Sequence, residues 1–185
     1  MIELPVFRFV AFLRAINVGG HTVTMETLRR QFTALGFRGV ETFIASGNVI
    51  FTTSGEDESA IRRKVEGRLL NALGYEVRTF LRTDAEVGGV ARYAPFTPAE
   101  IASARTLCVV FLAERPSAAA TKALMSYRTD VDDFQVKGRD VYWLCQVGQS
   151  ESPFATKAGF EKVLRVQGTV RGMKTVTKLA AKCRL

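Results

Sequence analysis

Four short segments of strand character, Phe7 to Leu13, Val40 to Ala45, Val49 to Thr53 and Glu76 to Leu81, alternate with two helical intervals in the order β-α-β-β-α-β. That order limits the first half of the chain to few arrangements, because it is the pattern of the ferredoxin-like split βαβ unit. In the first helical interval Thr24 can cap a helix on which Met25, Leu28, Phe32 and Leu35 share a face, and Gly36 can end it. Ser46-Gly47-Asn48 is a glycine-bearing hairpin connection between two strands. Glu56, Asp57 and Glu58 suit the positive start of the second helix, which carries Ile61, Val65, Leu69, Leu70 and Leu73 before Gly74.

The second half repeats the order in shorter form. Thr83-Asp84-Ala85-Glu86 reads as a capping box that opens a connecting helix. Arg105 to Ala113 is a strongly apolar strand, and Pro116 can stand at the first position of a helix through Ala123, Leu124 and Tyr127. Phe134 to Lys137 and Val141 to Cys145 form a hairpin turning at Gly138-Arg139. Ser152-Pro153 starts a helix carrying Phe154, Phe160, Val163 and Leu164, residues 167–170 fit a short strand, and Met173 to Lys182 a last helix. The expected fold is α+β: duplicated ferredoxin-like (split β-α-β) halves with antiparallel sheets and an extra C-terminal helix. The halves span residues 1–82 and 105–185, joined by a connecting helix and loop at 83–104, the one place for a hinge.

In a split βαβ unit the first two strands are parallel and the third runs back between them. The exit of the first strand and the hairpin after the second therefore share one end of the sheet. This gathers Arg14, Asn17, Gly19, Gly20 and His21 with Ser46, Gly47 and Asn48. Glycines let backbone N–H groups face a ligand, asparagine and serine add donors and acceptors, and arginine suits a carboxylate or phosphate. The same residues are also ordinary turn chemistry, in which asparagine satisfies its own turn backbone. The glycine pair belongs to neither G-x-G-x-x-G nor a Walker sequence.

His21 is the only histidine, so no zinc-ligand spacing exists and a Ser46–His21 couple lacks an obvious acid. Asp130, Asp132 and Asp133 read as a solvated acidic loop rather than a metal cluster. No metal or cofactor is expected. Cys108, Cys145 and Cys183 are an odd set without a close pair and read as buried free thiols, which fits a reducing compartment. No apolar run approaches the roughly 18 residues needed to cross a membrane. Glu3 and Pro5 occupy positions where a signal peptide has a basic region. The expected location is cytoplasmic.

Charge is concentrated at one end. The 185 residues carry a net charge of +8, yet residues 152–185 hold eight lysines and arginines against Glu161 alone. Lys174, Lys178 and Lys182 recur every four residues on the last helix, with Arg171 just upstream. Such a stripe suits nucleic acid or another polyanion, while late lysines also complement a helix dipole and keep a face solvated. Phe7, Phe9 and Phe51 could stack bases if their sheet face were open, as in RNA-recognition modules. Two functions are compatible with these features. One is a non-enzymatic binder of nucleic acid or another polyanion through the basic C-terminal region. The other is an enzyme or small-anion sensor that holds a small anionic ligand at the paired turns.

At the turn motifs the chain resembles a bacterial family known as domain of unknown function 1697. The family pattern is L-R-G-I-N-V-G-G, then a Met-x-x-Leu helix, then T-Y/F-I-x-S-G-N. Here it stands as Leu13-Arg14-Ala15-Ile16-Asn17-Val18-Gly19-Gly20, Met25-Glu26-Thr27-Leu28 and Thr42-Phe43-Ile44-Ala45-Ser46-Gly47-Asn48. A C-terminal signature, usually T-x-R-N-W-x-T-V-x-K-L, reads Thr169 to Leu179. Ala15 replaces the usual glycine, and Gly172-Met173 replaces the usual Asn-Trp. The resemblance implies the duplicated α+β fold and carries no activity, substrate or catalytic residue with it.

Overall fold

The computed structural model describes residues 5–17 and 19–183. Glu3, Val18 and Arg184, the last of the eight basic residues in 152–185, lie outside the described residues. The chain divides into two compact units. One comprises the described residues up to Gly88 together with those from Leu179 on, and the other is Gly89–Lys178. One boundary, between Gly88 and Gly89, falls in α3 (Asp84–Arg92), which is followed by α4 (Pro98–Ser103), and the other falls between Lys178 and Leu179.

The first unit is built from β1 (Val6–Leu13), α1 (Met25–Ala34), β2 (Arg38–Phe43), β3 (Asn48–Ser54), α2 (Glu58–Leu73) and β4 (Thr79–Thr83). Its antiparallel sheet has the order β2-β3-β1-β4, the arrangement of a split βαβ unit. The helix ends obey their local signals. Thr24 accepts from the Thr27 amide, Asp57 accepts from the Ala60 amide, and Gly74 closes α2 in the left-handed conformation. The capping box at Thr83 is reciprocal: the Glu86 amide donates to Thr83 Oγ1 and the Thr83 amide to Glu86 Oε2.

Alternation along the strands decides which side chains meet the helices. Phe9, Ala11 and Leu13 of β1, Phe51 of β3 and Leu81 of β4 form one core with Leu28 and Phe32 of α1 and Ile61, Val65 and Leu69 of α2. Phe51 stacks on Phe37 at 4.5 Å and meets the edge of Phe32 at 5.4 Å. Phe9 and Phe51 are therefore buried, and of the three aromatics considered for base stacking only Phe7 is exposed. Val10, Phe12, Ile50 and Phe80 alternate onto the opposite face of the sheet and are buried as well.

The second unit repeats the plan with β5 (Thr106–Leu112), α5 (Ala118–Met125), β6 (Asp132–Lys137), β7 (Asp140–Cys145), α6 (Pro153–Lys157), α7 (Phe160–Leu164) and β8 (Gly168–Gly172). Its sheet order, β6-β7-β5-β8, reproduces that of the first. The repeat extends to side chains. Arg82 on β4 pairs in register with Val10, and Arg171 on β8 pairs with Val109. Both arginines are buried, and each donates to the carbonyl of the residue before it. The last helix, α8 (Met173–Cys183), follows β8 directly.

Three details depart from the sequence reading. Ile44 has φ 51°, so β2 ends at Phe43 instead of continuing to Ala45. Pro116 precedes the cap: Ser117 takes that role for α5 by accepting from the Ala120 amide. The helix from Ser152 breaks into α6 and α7 at Gly159, whose φ of 79° and ψ of 153° are not helical.

Candidate functional site

The exit of β1 and the β2–β3 turn do meet. The Leu13 amide donates to the Gly47 carbonyl at 2.8 Å, and Asn17 Nδ2 donates to the Ala45 carbonyl at 3.0 Å. Gly47 has φ 74°, and a Cβ there would stand 3.0 Å from Cβ of Ile16, so the approach of the two turns requires glycine. The asparagines hold these turns in shape. Asn17 Oδ1 accepts from the Val23 amide at 2.6 Å, which ties the loop to the start of α1. Asn48 is fully buried, and its Nδ2 donates to the Phe43 carbonyl and to Ser46 Oγ. Gly19 and Gly20 are exposed with positive φ, and Arg14 is half-buried.

His21 is exposed and stacks on Tyr75 with centroids 3.9 Å apart. Burial raises the Tyr75 phenol above its ordinary pKa, and its Oη has no hydrogen-bond partner among the described residues. The ring stack gives His21 a place against the α2–β4 loop, and among the described residues no carboxylate bonds to it to orient it as a base. Among the described residues no group of three or more His, Cys, Asp or Glu side chains could hold a metal ion.

Three residues around these turns occupy the left-handed region without being glycine: Ala15 at φ 63°, Asn17 at 58° and Ile44 at 51°. Asparagine tolerates that region, whereas alanine and isoleucine are strained there. The glycine usual at position 15 in the resembling family is thus explained by backbone conformation. Ala15→Gly is expected to raise stability by about 0.5–1 kcal/mol, the relief of left-handed strain less the greater chain entropy of glycine. Urea unfolding followed by circular dichroism would measure it, and a destabilised variant would contradict the strain.

The basic residues of the C-terminal region separate. Arg171 is 8 % exposed, and its Nη1 donates to Thr169 Oγ1 and the Val170 carbonyl, each at 2.8 Å. Burial lowers its pKa to about 10, so it keeps its charge at neutral pH. Lys182 donates to Glu41 Oε2 at 2.6 Å, and this bond holds the Glu41 carboxyl below its ordinary pKa. Lys174 and Lys178 are exposed and have no carboxylate partner among the described residues, while Val176, Leu179, Ala180 and Cys183 form the buried side of α8. The Lys182–Glu41 pair spans 141 positions, and no local pattern announces it.

The acidic loop also sorts differently from expectation. Asp132 is 1 % exposed rather than solvated, because its carboxylate accepts from Trp143 Nε1 and Ser152 Oγ, both at 2.8 Å. The nearest signal in the sequence was Ser152-Pro153, which marks the helix that this carboxylate anchors. Cys108, Cys145 and Cys183 are free and buried, and burial pushes the Cys108 thiol up to about 11. A thiol held protonated in this way is a poor nucleophile. Among the described residues no helix is long and apolar enough to cross a membrane.

No curated protein matches this chain in sequence. In structure it is similar to the conserved bacterial protein SP0830 from Streptococcus pneumoniae, with a TM-score of 0.76 and 21 % sequence identity. The alignment covers 97 % of this chain and 99 % of that one, and at this identity it speaks for the fold alone. Over residues 6–142 the sequence itself matches a family, and the chain belongs to that family, described as Protein of unknown function (DUF1697).

Proposed function

We propose that the protein is a cytoplasmic, non-enzymatic binder of nucleic acid or another polyanion, acting through the basic C-terminal region. One observation carries this reading. Lys157, Lys162, Arg165, Lys174 and Lys178 are all exposed and have no carboxylate partner among the described residues. Cations left unpaired at a surface release counterions when they meet phosphates, which makes binding favourable and salt-dependent. The paired turns give weaker support to the small-anion alternative, because the amides of Asn17 and Asn48 are already engaged by backbone and side-chain partners.

The test is fluorescence anisotropy with labelled single- and double-stranded RNA and DNA at several salt concentrations. Replacing Lys174 and Lys178 with glutamine is expected to weaken binding and lower the logarithmic salt slope by about 2. Adding Lys182→Gln should change the slope less, since Glu41 already engages that lysine. No binding at low salt, or a slope unchanged in the variants, refutes the proposal.

A further inference from the structure

The helical layer of the first unit carries its own concentration of positive charge. Arg29 and Arg30 lie on α1, and Arg68 lies on the neighbouring α2. Together with Glu26, Gln31 and Thr33 they line a groove of about 450 Å³. Arg29 is taken by Glu26, to which it donates from both Nε and Nη2 at 2.7–2.9 Å. The other two arginines are in a different state. Arg30 is exposed and has no partner among the described residues. Among the described residues Arg68 donates only from Nε, at 2.7 Å, to Oε1 of Gln31, which is 9 % exposed.

That last bond has a consequence for recognition. A guanidinium is planar, so fixing Nε against a buried amide limits the directions open to the two terminal nitrogens. Arg68 therefore keeps its Nη pair available in a restrained orientation, with Arg30 on the facing helix. Two arginines without carboxylates at one groove favour an anion with several oxygens, which each fork can grip in bidentate fashion. The lining contains no aromatic ring and no apolar side chain larger than that of Ala34. A nucleobase would find no aromatic ring to stack on and an acyl chain nothing to cover it.

We infer that the α1–α2 groove is a binding site for a phosphate dianion, free or carried as the monoester of a small hydrophilic molecule. Arg30 and Arg68 grip the phosphate oxygens, Gln31 positions Arg68, and Glu26 neutralises Arg29 so that the groove keeps a charge matched to a dianion. None of the lysines on α8 lines this groove.

Titration calorimetry of the full chain with inorganic phosphate and, separately, glucose 6-phosphate tests it, with sodium chloride at matched ionic strength as the control. Saturable binding of one equivalent is expected. Tighter binding of glucose 6-phosphate would identify a monoester as the ligand, and equal or tighter binding of inorganic phosphate would identify the free ion. Arg30→Gln and Arg68→Gln should each weaken binding about tenfold or more, the loss of one charge-assisted contact. Gln31→Glu should weaken it comparably by supplying Arg68 with a carboxylate. Lys174→Gln with Lys178→Gln should leave phosphate affinity unchanged, so failure of the nucleic-acid proposal and failure of this one remain distinguishable. Absence of saturable binding, or binding that survives both arginine substitutions, overturns the inference.

Discussion

Asp132→Ala is expected to destabilise the second unit by about 3–5 kcal/mol, since it leaves buried donors unpaired and opens space beside them. The carboxylate is 1 % exposed and serves three groups: Trp143 Nε1, Ser152 Oγ and, at 3.4 Å, the amide of Phe154. Ser152 in turn caps α6 by accepting from the Ala155 amide. Removing the carboxylate therefore reaches β7 and α6 together. Trp143 is the only tryptophan, so its fluorescence reports the urea transition from within the affected core. Asp132→Asn keeps the volume and one acceptor oxygen, and about half the loss is expected. A midpoint for Asp132→Ala within about 0.5 kcal/mol of the parent would show that the carboxylate does not hold this core together.

Asn48→Ala should cost the first unit about 2–4 kcal/mol, for related reasons. Its amide is fully buried and closes the β2–β3 turn onto Phe43 and Ser46, opposite Phe12 of β1. Without it the Phe43 carbonyl and Ser46 Oγ lose the contact from Nδ2 and a small cavity opens beside the sheet. The tryptophan is distant in sequence and belongs to the other unit, so hydrogen exchange is the suitable measurement. Faster exchange is expected across residues 38–54, with β6 and β7 unchanged. If the variant keeps the parent's protection and loses only a response to small anions, the asparagine is a ligand contact and the paired turns regain their claim as the site.

Much of the architecture was legible along the chain because its causes are local. Thr24, Asp57, Gly74 and the Thr83–Glu86 box act on backbone groups within a few residues, and all of them work as their types suggest. The joining of the two turns also followed from sequence, since strand order and direction in a split βαβ unit leave no other place for them. Ile44 escaped notice because a β-branched residue in the left-handed region contradicts its own propensity.

The sequence by itself determined the elements, their order, the duplication and the position of the turns, because periodicity, capping and glycine chemistry act over short separations. Only the tertiary structure decided the state of the charges. It buried Arg171 and Asp132, paired Lys182 with Glu41, and left Lys174, Lys178 and Arg30 without carboxylate partners among the described residues. Charge is written in the residue type, but desolvation and pairing depend on what distant segments bring within a few ångströms.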